Sequence, residues 1–109
     1  MLQVMAALSG AIAVAAGAYG AHGAHGKAAE WLSTGAQYQL VHAVAALVAM
    51  GMGARGASWA FVAGAALFAG TLYLMAAGAP KWLGAVTPIG GLVLIGGWVW
   101  LAWAGVRAS

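Results

Sequence analysis

The sequence predicts an all-α integral membrane protein, a bundle of four transmembrane helices with both termini on the same side of the bilayer. Its 109 residues are 65% apolar and only 5% charged, whereas a soluble domain carries about 25% charged residues. The charged residues separate four uncharged runs, 1–26, 31–54, 56–80 and 82–106. Each run is close to the roughly 20 residues with which a helix crosses a hydrocarbon core of about 30 Å. The runs lack the alternation of barrel strands, so helices are the expected spanning elements.

The first expected span covers about 2–21. Small residues recur along it in alternating steps of four and three, at Ala6, Gly10, Ala13, Gly17 and Gly20. This spacing places them in one seam of the helix, where a neighbouring backbone can approach closely. Gly10 and Gly17 are therefore predicted to be helix-packing residues.

The second expected span covers about 34–52. It follows a connection, 22–33, that contains a short amphipathic piece from Lys27 to Leu32. A helix start at Ala28 rather than Thr34 is the alternative.

The third and fourth expected spans cover about 57–77 and 88–106. The fourth has a well-defined start, because Thr87 is a suitable N-cap and Pro88 fits the first helical position, where its missing N–H is no loss. Gly70, Gly90 and Gly97 are predicted to continue the close packing of helices. The whole chain, 1–109, is expected to form one domain.

Four spans place the termini and the loop near Arg55 on one side of the membrane, here called face A. The loops 22–33 and 78–87 lie on the opposite side, face B. Lys27 and Lys81 on face B balance Arg55 and Arg107 on face A, so the positive-inside rule favours neither orientation. Trp98, Trp100 and Trp103 are expected near face A, as part of an interfacial belt.

Polar residues concentrate in the half of the membrane near face B and predict a polar pocket there. Its candidate residues are Tyr19, His22, Tyr38, Gln39, His42, Thr71, Tyr73 and Thr87. Tyr38, Gln39 and His42 share one helical face by their spacing, and His42 is expected about 12 Å along a helix that enters lipid at Thr34. An ionisable residue at that depth indicates a functional site by default. The alternative is a neutral His42 that bonds a neighbouring helix and only fixes the packing.

His22, His25 and His42 are weak candidates for a zinc, copper or haem-iron site. The alternative is a turn whose histidines contact water or lipid head groups. The chain has no cysteine and only one acidic residue, Glu30, which argues against thiolate metal sites and Ser/His/Asp catalysis. We expect no enzyme activity and no cofactor, with haem or a divalent metal left open. Four basic residues divided between two faces make no nucleic-acid surface.

Four segments together resemble one family: GAYGAHG at 17–23, TGAQYQLVHA at 34–43, FAGTLYLM at 68–75 and LGAVTPIGGL at 83–92. They are similar to the YgdD-like family of small membrane proteins, which includes transmembrane protein 256 and is described as domain of unknown function 423. The resemblance covers nearly the whole chain. It implies a four-helix protein, in bacteria of the inner membrane, without an established activity.

Ten positions carry the resemblance: His22, Gln37, Tyr38, His42, Gly70, Tyr73, Thr87, Pro88, Gly90 and Gly91. The chain departs from the family at Gln39, where relatives often have a second histidine. His25 looks like a local duplication of the GAHG unit. Both departures weaken a histidine-cluster hypothesis.

Three functions are compatible with this pattern. The first is a non-enzymatic module that binds a lipid, a quinone or a partner helix through the polar pocket. The second is a channel or carrier for a small solute or protons, formed by an oligomer, although the face-A half offers few polar residues for a wet path. The third is a histidine-ligated metal or haem protein. The small-residue seams exceed what one bundle needs, so the chain is also expected to form a homo-oligomer or to bind another membrane protein.

Overall fold

The computed structural model describes residues 1–108, which fold into four long helices. These are α1 (Leu2–His22), α2 (Gly26–Gly51), α3 (Arg55–Ala76) and α4 (Thr87–Ala108), with a short 3₁₀ helix, Lys81–Ala85, before α4. The helices alternate in direction along the chain, so the start of α1 and the end of α4 lie together on face A. The predicted four-helix membrane fold is confirmed. The last residue of the predicted domain, Ser109, lies outside the described residues.

Helix α2 begins eight residues earlier than the preferred start at Thr34. The predicted connection 22–33 is therefore mostly helix, and its amphipathic piece forms the first turns of α2. Only Gly23 to His25 connect α1 to α2. The reversal is possible because Gly26 adopts a φ of +62°, a conformation that glycine tolerates without steric cost. The other helix boundaries lie within two residues of their predicted positions.

Within the described chain, three segments are long and apolar enough to cross a membrane by themselves: α1, α3, and α4 together with the 3₁₀ helix. Helix α2 is long enough, but Gln37, Gln39 and His42 make it more polar. It packs against both α1 and α3, and these contacts bury Gln39 and His42 to 4% and 6% exposure. Helix α2 can therefore cross the bilayer because its neighbours cover Gln39 and His42, the polar side chains nearest its middle.

The pair α2–α3 forms the centre of the bundle. Helix α1 packs on α2 and also contacts α3, whereas α4 packs mainly on α3. A hydrogen bond joins α4 to α2, where Trp98 donates to His42, and Trp98 and Leu101 line a depression beside Val41, Val44 and Val48 of α2. Much of α1, of α4 and of the outward side of α2 consequently faces the surroundings.

The distribution of side-chain size is typical of a membrane protein. Most of the buried apolar side chains are alanines, with Phe61 the largest fully buried one. Large apolar side chains face outward, such as Leu92, Ile95 and Val99 of α4, which are 60–66% exposed. Small residues inside allow helices to approach closely where lipid provides no hydrophobic drive between them, and the large ones outside contact acyl chains.

The predicted packing glycines behave differently from one another. A Cβ added to Gly90 would lie 2.5 Å from the Phe68 backbone nitrogen, and one added to Gly97 would lie 2.8 Å from the Phe61 ring. Gly10 and Gly17 also face α2, but a Cβ added to them would lie 3.7 Å from the Ala43 Cβ and 3.3 Å from the Ala36 Cβ, so these two positions are less tightly packed. The prediction for Gly70 is wrong within this chain, because it points outward and nothing lies within 4 Å of an added Cβ.

Candidate functional site

Gln39 joins three helices near the middle of the bundle. Its amide nitrogen donates a hydrogen bond to the Ser9 hydroxyl of α1 at 3.1 Å, and its amide oxygen accepts one from the Tyr73 hydroxyl of α3 at 2.6 Å. Both ends of the amide are therefore bonded inside the protein. Ser9, which the sequence did not single out, is the partner that makes Gln39 a cross-link between α1 and α3.

His42 is held by both ring nitrogens. Nδ1 lies 2.6 Å from the Tyr38 carbonyl oxygen of its own helix, and Nε2 lies 3.0 Å from Nε1 of Trp98 on α4. An indole N–H can only donate and a carbonyl can only accept. This network assigns the proton of a neutral imidazole to Nδ1, which donates to Tyr38, while Nε2 accepts from Trp98.

The geometry around His42 matches the packing alternative better than a ligand role. Neither ring nitrogen is free for a metal ion, because each already has a hydrogen-bond partner. His42 lies far from the face-B ends of the helices. The adjacent Ala43 packs on Gly10, twelve residues from the face-B end of α1, or about 18 Å at 1.5 Å per residue. Trp98, the hydrogen-bond partner of His42, lies at the middle of α4. The prediction that this tryptophan belongs to an interfacial belt is therefore wrong.

A second polar contact joins α3 to α4 near face B. The hydroxyls of Thr71 and Thr87 are 2.6 Å apart and share a hydrogen bond. Each also lies near a carbonyl oxygen, that of Phe68 at 3.0 Å or that of Leu83 at 3.3 Å. The Thr87 hydroxyl thus serves interhelical packing rather than the predicted N-cap bond.

The structure does not bring the eight predicted pocket residues into one pocket. The interior polar residues form three separate groups of hydrogen bonds: Gln39 with Tyr73, His42 with its own partners, and Thr71 with Thr87. Among residues 1–108 every buried side-chain nitrogen or oxygen has a hydrogen-bond partner. Tyr19, His22 and Tyr38 are exposed. The helices carry these three to the outer surface, so the sequence was wrong to group them with the interior polar residues.

The three histidines are also separated. His22 and His25 are exposed near face B, whereas His42 is 6% exposed inside the bundle. Throughout the part of the chain that the structure describes, no group of three or more His, Cys, Asp or Glu residues is placed to hold a metal ion. A site built from all three histidines therefore does not form in this conformation.

One open site on this molecule is a groove between α1 and α2, here called the α1–α2 groove. Its wider part, about 440 Å³, lies at face B and is lined by Gly17, Gly20, Ala21, Ala29, Glu30, Ser33 and Thr34. A narrower part of about 310 Å³ continues toward the bilayer centre between Ala13, Val14, Gly17, Ala18, Ser33, Ala36, Gln37 and Leu40. Gly17 and Ser33 line both parts, so the two are continuous.

Polar side chains at the face-B end of this groove are exposed. Among the described residues, the side chains of Glu30, Ser33 and Thr34 make no hydrogen bond or ion pair. Gln37 also lacks a partner, and it borders a second depression beside Tyr38 and His42, so it lies on the outward crest of α2. None of these four residues was predicted as a site residue. The spacing of Glu30, Thr34 and Gln37, four and three residues apart, could have revealed the shared face.

Similarity to known proteins shows to which family the chain belongs. The fold and its internal hydrogen bonds define a small four-helix integral membrane protein. Residues 16–91 match a family model described as Protein of unknown function (DUF423). The chain belongs to this family, and the resemblance seen in the sequence is confirmed.

The relatives are membrane proteins. The chain is 35% identical to the UPF0382 membrane protein of Haemophilus influenzae, over 96% of this chain and 93% of the relative. It is 37% identical to the UPF0382 inner membrane protein YgdD of Escherichia coli, over 95% and 88%, and 35% identical to YwdK of Bacillus subtilis, over 68% and 67%. No solved structure matches the chain. These names and the apolar helices confirm the expected location in the inner membrane.

Proposed function

We propose that the protein is a non-enzymatic membrane module that binds a phospholipid in the α1–α2 groove. The observation that carries this proposal is the change in chemistry along the groove. Glu30, Ser33 and Thr34 stand at its face-B end without hydrogen-bond partners in the described chain. Toward the bilayer centre the walls become mainly apolar, with Ala13, Val14, Ala36 and Leu40, although Gln37 also borders this part. A phospholipid has the same order of polar and apolar parts.

The groove also suggests which head group binds. A carboxylate and two hydroxyls favour a group with several N–H donors and a positive charge. A primary ammonium, as in phosphatidylethanolamine, meets both conditions, whereas an anionic head group would be repelled by Glu30. We therefore expect a preference for phosphatidylethanolamine over phosphatidylglycerol.

The test is native mass spectrometry of the delipidated protein after addition of either lipid. Wild type should retain one phosphatidylethanolamine per chain with about fivefold preference over phosphatidylglycerol, since one charge-assisted hydrogen bond at a half-exposed site is worth on the order of 1 kcal/mol. Glu30→Gln should bind both lipids equally.

A groove-filling variant and its control test the apolar part. Ala18→Leu adds a large side chain to an exposed position that lines the groove and should abolish retention of the lipid. Ala15→Leu makes the same change at another exposed position of α1, outside the groove lining, and should bind like wild type. Equal retention by both variants, or no lipid above the detergent background for wild type, would refute the proposal.

A further inference from the structure

One stripe of α2 is exposed along its whole length. Exposed residues recur on it in alternating steps of three and four: Lys27, Glu30, Thr34, Gln37, Val41, Val44, Val48 and Gly51. We call these eight residues the α2 ridge. This alternation keeps side chains on one line of a helix, and it is the spacing by which two helices pack side by side in a left-handed pair. Helices α1 and α3 pack on the other faces of α2, and Trp98 and Leu101 of α4 border the ridge valines, but the ridge itself stays exposed.

Gln37 is the unusual member of the ridge. The neighbouring Ala36 packs on Gly17, five residues from the face-B end of α1, so Gln37 lies about 8 Å from that end, within the length of the spanning helices. Its side chain is exposed and has no hydrogen-bond partner among residues 1–108. An amide in hydrocarbon is unfavourable unless both its N–H and its C=O find partners. Something outside this chain must provide them.

We propose that the α2 ridge is the interface of a parallel homodimer, in which Gln37 bonds Gln37 of the partner subunit. The missing partner must offer both a donor and an acceptor at one depth in the membrane. A second copy inserted in the same orientation offers an identical amide at that depth. A two-fold axis along the membrane normal then lets each amide nitrogen donate to the opposite amide oxygen.

The rest of the ridge is complementary to itself. On the face-A side of Gln37, Val41, Val44 and Val48 are 54–57% exposed and supply a row of β-branched side chains, which pack well between parallel helices. At the face-B end, Lys27 precedes Glu30 by three residues. In a parallel pair each lysine lies beside the glutamate of the partner, which gives two reciprocal ion pairs. This pairing of one acid with one base favours a second copy over an unrelated chain.

This interface differs from the small-residue seams that first suggested an oligomer. Gly10, Gly17, Gly90 and Gly97 pack against helices of their own chain. The α2 ridge borders the α1–α2 groove, because Glu30 and Thr34 also line the wider part of the groove and Gln37 lines the narrower part. The valines of the ridge lie outside the groove, so cross-linking at these valines tests the homodimer without changing the groove.

Cysteine cross-linking in native membranes tests the interface, because the chain contains no cysteine. Single substitutions Val41→Cys, Val44→Cys and Val48→Cys should each give a disulfide-linked dimer under mild oxidation. Leu40→Cys and Leu47→Cys are the matched controls, since both leucines are exposed on α2 but lie to one side of the ridge, about 40–60° around the helix from the nearest ridge residues. We expect at least about fivefold more dimer at the valine positions. Equal cross-linking at the leucine positions, or no dimer at any position, would overturn the proposal.

Dilution of labelled protein in liposomes, followed by energy transfer, tests the role of the amide. Gln37→Leu should lower the association constant by about tenfold, while Gln37→Asn should keep most of it, because asparagine retains donor and acceptor. Unchanged association of Gln37→Leu would overturn the assignment of Gln37 to the interface.

Exchanging the charges of Lys27 and Glu30 distinguishes the homodimer proposal from the lipid-binding proposal. Lys27→Glu and Glu30→Lys should each weaken association by about two- to threefold, because each places like charges across the two-fold axis. The double variant restores opposite charges and should restore association, although it removes the carboxylate from the groove and with it the lipid preference. If the double variant associates no better than the single variants, the reciprocal ion pairs are refuted.

Discussion

Gln39 and Gln37 are the same residue type, two positions apart on α2, and they have opposite surroundings. Gln39 is 4% exposed and uses both ends of its amide to join α1 to α3. Gln37 is exposed, and its amide has no partner among the described residues. The two side chains leave the helix about 200° apart at 100° per residue. The comparison shows that rotation on the helix decides whether an amide holds the bundle together or remains available to another molecule.

The same contrast applies to whole surfaces. The inward faces of the helices are tightly packed and fully hydrogen-bonded, so changes there should affect the stability of the single chain. The side chains on the outward faces make few contacts within the chain, so changes there should leave the stability of the single chain nearly unchanged. Two comparisons of matched variants and one single variant test this difference.

The largest effect is expected for Gly90→Ala. The added Cβ would lie 2.5 Å from the Phe68 nitrogen and 2.8 Å from its Cα, and backbone atoms cannot move aside as a flexible side chain can. Overpacking typically lowers the free energy of unfolding by about 1–3 kcal/mol, and a clash with backbone atoms places Gly90→Ala at the upper end of that range. A detergent titration of unfolding, monitored by circular dichroism, measures this loss in the free energy of unfolding.

Gly96→Ala and Gly70→Ala are the controls for this change. Nothing lies within 4 Å of a Cβ added at either position, so the higher helix propensity of alanine should leave stability unchanged or raise it by up to about 1 kcal/mol. Equal destabilisation by Gly90→Ala and Gly96→Ala would show that α4 does not contact α3 as described.

An intermediate effect is expected for Gln39→Leu. The change leaves the hydroxyls of Ser9 and Tyr73 without a partner and should lower the free energy of unfolding by about 1–2 kcal/mol, given the modest value of hydrogen bonds between membrane helices. Gln37→Leu should not destabilise the monomer in the same titration. The distinction between the two glutamines fails if both variants lose equal stability.

The smallest of the three effects is expected for Trp98→Phe. Phenylalanine keeps an aromatic ring but cannot donate to His42, so the loss should be about 0.6–1.7 kcal/mol, the value of one interhelical hydrogen bond in a membrane protein. Nitrogen-15 spectra of His42 give a second measurement. Wild type should show a proton on Nδ1 and an accepting Nε2, and the Nε2 signal should shift in Trp98→Phe. A wild-type spectrum with the proton on Nε2 would contradict the assigned tautomer.

The sequence predicted the class of protein because hydropathy and the spacing of charges report directly on the surrounding solvent. It also located Tyr38, Gln39 and His42 on α2 and identified Gly90 and Gly97 as close-packing positions. Its error lay in treating the polar residues near face B as one pocket. Depth along a helix can be read from residue number, whereas the direction of a side chain around the bundle depends on which neighbours pack where.

By itself, the sequence determined that this chain crosses a membrane as four helices with its polar residues biased toward one face. Only the tertiary structure decided which of those residues are used inside the protein. Ser9 and Trp98 became the partners of Gln39 and His42 because small residues let α1 approach α2, and α4 approach α3, at one particular rotation. The same rotation turned Gln37 and the valines of the α2 ridge outward. The physical reason is that burial in hydrocarbon is set by composition, but hydrogen bonds and close contacts require a defined arrangement of helices.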